Sequence, residues 1–207
     1  MYNVYADRVV EPDKTGIDVF DSQEAIRMVM HGDVISVTAV NRIYPVSVLK
    51  DVPFPVGRTT EDGFTAVEFL SRVDTVVVDY RPFYYYEHRE GTLSTRPFGK
   101  GSCDVIDAYE HNKEIIMRDF PALEELAEFR CLWSRFIVLD SMFSPGAQKD
   151  VACRKEIVRY LRRHIKQTMN NQYVGKGRKI SALALMLNVH LYGLVYKMYR
   201  KRLGYQS

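Results

Sequence analysis

Glu61 and Asp62 stand side by side in "FPVGRTTEDGFTAVEFL", after a Pro/Gly-rich turn and before an apolar periodic run. Acids in that position serve two ends. In the first turn of a helix they complement the macrodipole, and Thr59-x-x-Asp62 has the spacing of a capping box. The same geometry suits a general base, because a helix N-terminus keeps a carboxylate ionised and fixes its direction toward a hydroxyl. His88 and Arg89, in "YYYEHREGTLS", form a second polar pair where a strand-like run meets a Gly-containing turn. They read either as a solvated strand end or as cations for a phosphate. Cys103, Cys131 and Cys153 lie far apart with no C-x-x-C pair, which argues against a zinc site or disulfide framework and fits a reducing compartment.

The elements that must position these groups can be read from periodicity. Asp21 or Ser22 can cap a short helix, "SQEAIRMVM", that Gly32 would stop. "DVISVTAVNRIYPVSVL" is apolar and β-branched to about Val40, and a short helical turn comes next. Residues 60–71 read as a helix with Phe64, Val67 and Leu70 on one face. "DTVVVDY" and "PFYYYEH" are strand-like. From Ser102 the pattern turns helical: "CDVIDAYEHNKEIIMRDF", then Pro121 as a first-turn residue for "ALEELAEFRCLWSRFIVLDSMF". After the break at Ser144-Pro145-Gly146, "DVACRKEIVRYLRRHIKQTM" sets Ile157, Leu161, Ile165 and Met169 on one stripe. A last helix, "ISALALMLNVHLYGLVYKMYRKRL", closes the chain. The expected layout is a short α/β segment over 1–100, a helical extension over 101–150 and a basic amphipathic tail over 151–207.

With 207 residues, 46% of them hydrophobic and 27% charged, the chain can bury a core, and wholesale disorder is excluded. The net charge of +3 conceals an asymmetry. Residues 1–150 carry 16 Lys+Arg against 25 Asp+Glu, a net −9, whereas 151–207 carry 13 against Glu156 alone, a net +12. Such a tail points to an anionic partner. "MYNVYADRVVEPDK" has no apolar run after a basic start, so a secretory signal is not expected.

Five pieces in order, "VNRIYPVSVL", "FPVGRTTED", "DTVVVDY", "YYYEHREGTLS" and the helices after 102, resemble the second half of the GT-A domain of family 2 glycosyltransferases. The likeness is greatest to bacterial enzymes of capsule, exopolysaccharide and teichoic-acid-type polymer synthesis, and it covers roughly residues 20–145. It implies an α/β fold, a partial GT-A domain with a helical extension after it. It also implies an inverting transfer of a sugar from a nucleotide diphosphate to an acceptor hydroxyl. Asp62 falls on the family's general base and Glu61 on its acidic neighbour, with Gly63 leaving room for an acceptor at the backbone. Asn41 and Arg42 stand where the family has Asn-Lys near its acceptor cleft, and His88 and Arg89 where a donor pyrophosphate or carrier phosphate would lie. The family pattern also has Arg where this chain has Glu87. Its opening strand ending near "P-x-Y-N" and its D-x-D metal motif have no counterpart among the 207 residues. By this likeness the sequence begins mid-domain and lacks the nucleotide-binding half, so the divalent cation expected for the family, Mg or Mn, would find its ligands elsewhere.

The tail carries a second reading, a non-catalytic membrane-associated module or the complementing half of a split glycosyltransferase. The 17-residue apolar run from 180 to 196 is short for a span, which needs about 20 residues. An interfacial helix on an anionic inner membrane face fits better, with Arg159, Arg162, Arg163, Lys197, Arg200, Lys201 and Arg202 as the contacts, and His190, Gly193, Lys197, Arg200 and Lys201 forming its polar stripe. Packing of the same helix on protein is the bland alternative. No nucleic-acid-reading motif is present. A cytoplasmic, peripheral protein is expected.

Overall fold

The computed structural model describes residues 2–4, 9–10, 14–32, 34–87 and 97–202. In chain order the elements are β1 (Tyr2–Val4), β2 (Val9–Val10), β3 (Ile17–Asp21), α1 (Ser22–His31), α2 (Val46–Asp51), α3 (Glu61–Ser71), β4 (Thr75–Asp79), β5 (Tyr85–Glu87), α4 (Asp104–Asp119), a 3-10 turn (Pro121–Leu123), α5 (Glu124–Ser141), α6 (Val151–Arg163), α7 (Ile165–Asn170), α8 (Lys176–Leu187) and α9 (Val189–Arg202). The chain is mixed α/β and mostly helical. It divides into two compact units: residues 1–96 with 107–124, and residues 97–106 with 125–207. This division crosses the layout expected at residues 100 and 150. Most of α4 clusters with the N-terminal elements, through buried Ala108, Ile115 and Ile116, whereas Phe98 belongs to the core of the C-terminal helices.

In the first unit, β3 and β4 pair antiparallel with Val19 opposite Val77, and β1 lies between β2, antiparallel, and β5, parallel. Helix α1 forms where the sequence indicates. The Asp21 carboxylate accepts the Glu24 N–H at 2.7 Å, and Gly32 ends the helix at φ 85°, in the left-handed region that glycine enters without strain. Ala25, Ile26, Val29 and Met30 are its buried face, and it packs against α3, which buries Ala66, Val67, Phe69 and Leu70. Ser22 Oγ donates to the Leu70 carbonyl at 2.5 Å, joining the start of α1 to the end of α3. Phe69 anchors a satellite cluster with Val48 and Val52, and the Tyr44 and Phe54 rings lie 4.7 and 5.5 Å from its own. The β-branched run to Val40 forms bends, with no strand among its described residues.

The second unit has a single apolar core. Leu132, Phe136 and Leu139 of α5, Ile157 and Leu161 of α6, Ala182 and Leu185 of α8 and Tyr192 of α9 are all buried in it. The long helix expected over 151–170 is two. His164 leaves helical geometry (φ −98°, ψ 24°), its Nδ1 donates to the Tyr160 carbonyl at 2.8 Å, and its ring stacks on Tyr160 at 3.9 Å. The last helix is also two, because Asn188 is extended and its Oδ1 accepts the His190 N–H at 2.7 Å, acting as a cap at the start of α9. Gly193, expected on a polar stripe, is buried. A Cβ there would meet Phe143 at 2.5 Å, so only glycine lets that ring approach the helix.

Candidate active site

Of the polar groups singled out by the sequence, Glu61 and Asp62 lie in the first turn of α3 and Arg42 lies within reach of the Asp62 charge. The N-cap of α3 is Thr60, one residue beyond the Thr59 of the expected capping box, and Thr60 makes no side-chain capping bond. Asp62 instead turns one carboxylate oxygen back on its own helix, Oδ1 accepting the Gly63 N–H at 2.8 Å. Glu61 is exposed and Asp62 half-buried. Burial, foremost, raises the Asp62 pKa above its ordinary value, with the neighbouring Glu61 charge adding to it. The Gly63 N–H and the Arg42 charge pull the other way. Asp62 is therefore a stronger Brønsted base than a free aspartate. Arg42, from the loop before α2 and expected with Asn41 near the acceptor cleft, is brought by the fold into the field of Asp62. Its guanidinium donates to the Ser36 carbonyl, which fixes it in the loop. Its neighbour Asn41 is exposed at φ 61°.

Gly63 does not open a space for an acceptor. It is buried, and the methyl of Thr60 would lie 2.7 Å from a Cβ placed there, with Ala108 at 3.7 Å. The glycine is needed so that the chain's own Thr60 can pack against α3. Asn112, on α4, is fully buried and donates from Nδ2 to the Gly63 carbonyl at 2.9 Å, while its Oδ1 has no hydrogen-bond partner. This clamp on the first turn of α3 carries no sequence signal. A lone Asn in the middle of a helical run reads as surface. Arg58 bonds Asp107 at 2.8 Å from the turn before α3 and lies over the Phe64 ring. One turn further along, His111 Nε2 approaches Glu68 at 3.4 Å and Arg72 bonds it at 3.0 Å, lining a polar cleft of about 330 Å³ between α3 and α4.

His88 and Arg89 lie outside the described residues. Of the expected membrane contacts, Arg159, Arg162, Arg163 and Lys197 are exposed, and Arg200, Lys201 and Arg202 fall on the last turn of α9. Arg162 also binds within the fold: its Nε and Nη2 donate to the Leu185 carbonyl at 3.0 and 2.9 Å, closing a carbonyl near the end of α8. Two further groups carry no signal in the sequence. Cys103 and Cys153, fifty positions apart, bring their sulfurs to 2.9 Å, and burial, with the Cys103 thiol next, pushes the Cys153 thiol up to about 12. Buried Asp140 and Tyr192 and half-buried Arg178 form a cluster. Arg178 bonds the Asp140 carboxylate at 2.8 Å and the Tyr192 hydroxyl at 3.1 Å, and that hydroxyl donates to Asp140. Burial opposes the Arg178 charge, but Asp140 and Tyr192 more than offset it and its pKa stands above the ordinary value.

Among the described residues no group of three or more His, Cys, Asp or Glu side chains could hold a metal ion. The side chains placed at α3 offer no such group for the divalent cation that the resemblance implies. Nor is any helix of the described residues long and apolar enough to cross a membrane. No protein-family model, curated protein or solved structure matches the chain.

Proposed function

We propose that the first unit is the acceptor side of a GT-A-type, family 2 inverting glycosyltransferase of bacterial surface-polysaccharide synthesis, with Asp62 as its general base. The observation that carries this reading is the state of Asp62. It is held in the first turn of a helix, directed by the Gly63 N–H, half-withdrawn from water and made more basic by that withdrawal, beside an exposed Glu61. In the reaction Asp62 takes the proton of the acceptor hydroxyl. The acceptor oxygen forms the new bond at the anomeric carbon, and the bond from that carbon to the nucleotide diphosphate breaks, its electron pair leaving with the diphosphate. Arg42 supports the ionised carboxylate before the proton arrives.

The donor is assigned to a complementary nucleotide-binding half. Ile17, Val19 and Val77 share one face of the β3–β4 ribbon and stand exposed, Val19 by 64% and Val77 by 62%. A two-stranded ribbon showing an apolar face is marginal alone and suited to being covered or extended. Two experiments test the reading. In cells deleted for the gene, the wild-type chain restores surface polysaccharide, and Asp62→Asn lowers sugar transfer in their membranes by about 10²–10⁴-fold. A folded Asp62→Asn chain that restores polysaccharide would instead favour a non-catalytic interaction module. Calorimetric titration of the isolated chain with a UDP-sugar and Mn²⁺ gives no binding, and micromolar affinity would refute the assignment of the donor to another half.

A further inference from the structure

The C-terminal helices carry a surface that sugar transfer does not explain. A Cβ on Gly177, at the start of α8, would lie 3.8 Å from Tyr199, near the end of α9, and Arg178 reaches Tyr192. The two helices therefore run antiparallel, folded back at Asn188 as a hairpin. Their inner sides supply Ala182, Leu185 and Tyr192 to the core. Their outer sides are apolar and uncovered among the described residues. Ile180, Leu183 and Leu187 on α8 and Leu191, Leu194 and Met198 on α9 are all exposed, Leu187 by 78%. Helical spacing puts each set in one stripe.

Charge decides what such a ridge fits. Leu183, Leu187, Leu191 and Leu194 lie toward the turn of the hairpin. The cations gather at its open end, with Lys176 and Lys179 opening α8 and Lys197, Arg200, Lys201 and Arg202 closing α9. After Glu156 the sequence contains no acid at all. A protein partner would need a matching apolar groove and a matching acidic rim. An anionic bilayer offers both without specific geometry, an acyl boundary for the leucines and phosphates for the lysines and arginines. At about 1.5 Å per residue α8 is roughly 18 Å long, against a hydrocarbon core of about 30 Å, so the hairpin is suited to lie in the interface and not to cross it.

We propose that the α8–α9 hairpin is a lipid-docking element that seats Leu183, Leu187, Leu191 and Leu194 at the headgroup–acyl boundary of an anionic membrane, with its basic open end on the phosphates. To the basic contacts expected from the sequence this adds apolar insertion by the leucines near the hairpin turn, and it does not rest on the transferase reading.

Co-sedimentation of the full chain with vesicles of equimolar phosphatidylglycerol and phosphatidylcholine tests it, with pure phosphatidylcholine vesicles as the comparison. The chain pellets with the anionic vesicles and stays in solution with the neutral ones. Leu187→Glu/Leu194→Glu, at two exposed positions, weakens binding by about tenfold or more, and Lys176→Glu/Lys197→Glu weakens it and flattens its salt dependence. Leu187→Trp reports insertion independently, its emission shifting to the blue on anionic vesicles and being quenched by brominated acyl chains. The proposal is overturned if the wild-type chain fails to pellet. It is overturned too if the leucine variant binds as well as wild type, which would mean adsorption by charge alone. A dimer in light scattering that the leucine variant dissociates, without vesicle binding, would assign the ridge to a second copy of the chain.

Discussion

Asp62 and Asp140 are both aspartates drawn out of water, one in each unit, and their surroundings differ. Asp140 is met inside the second unit by the Tyr192 hydroxyl and the Arg178 guanidinium, and its neighbours form one continuous core. Asp62 takes a backbone N–H and feels the charge of Arg42, but no ion pair reaches it among the described residues. The second unit neutralises what it buries. The first holds a carboxylate in a less favourable environment and leaves the outer face of a two-stranded ribbon bare. A charge kept where it weakens the fold calls for a use, and a bare apolar face calls for a cover. In the proposed reading these are the places of chemistry and assembly in the first unit, whereas the second unit's own bare face, the α8–α9 ridge, is the one proposed to meet lipid.

The sharpest way to break this contrast is to strip Asp140 of its carboxylate. Asp140→Ala leaves the half-buried Arg178 charge without its carboxylate, and urea unfolding should register a loss of about 2–3 kcal/mol, less than for a fully buried charge because water still reaches the guanidinium. Replacing both partners with apolar residues, Asp140→Leu with Arg178→Met, should recover most of that loss, since buried pairs often trade evenly for hydrophobic packing. A smaller effect is expected in the first unit. Asn112→Ala removes the clamp on the Gly63 carbonyl and should cost about 1 kcal/mol by the same assay. It should also reduce sugar transfer, because the first turn of α3 aims Asp62. The smallest is Val77→Thr on the bare ribbon face, which should leave the melting temperature of the isolated chain unchanged, an effect within about 0.5 kcal/mol. In the presence of a donor-binding half the same substitution should weaken assembly. A large loss in the isolated chain would show that the face is already part of a core.

The division between what was and was not legible in the sequence reflects the range of the interactions. A cap at Asp21 or Ser22, a stop at Gly32, a helix over 60–71 and a strand in "DTVVVDY" rest on local rules, and the structure has a cap at Asp21, a stop at Gly32, a helix over Glu61–Ser71 and a strand over Thr75–Asp79. Two long helices were broken by side chains whose effect depends on conformation: His164, whose ring turns back on the Tyr160 carbonyl, and Asn188, which caps α9. Periodicity counts both as polar positions and passes over them. The acids at 61 and 62 were visible as a pair, but their different burial is set by the fold around them. The Asn112 clamp, the Cys103–Cys153 approach and the Asp140–Arg178–Tyr192 cluster join residues tens of positions apart, and no spacing rule finds them. Gly63 was expected to leave room for an acceptor, and the space at its Cα is taken by Thr60.

Whether Asp62 serves chemistry or the helix can be read from the pH dependence of stability for wild type and Asp62→Asn. Burial raises the folded pKa above the unfolded value, near the ordinary 3.8. The protonated acid therefore favours folding below the unfolded pKa, and that contribution is lost as pH rises through the folded value. At neutral pH the ionised group holds the fold back. Urea unfolding at pH 7 should find Asp62→Asn at least as stable as wild type, with the difference shrinking as the acid is titrated toward about pH 3. An Asp62→Asn chain less stable at pH 7 by about 0.3–1 kcal/mol, the ordinary worth of an acid in the first turn of a helix, would contradict the account.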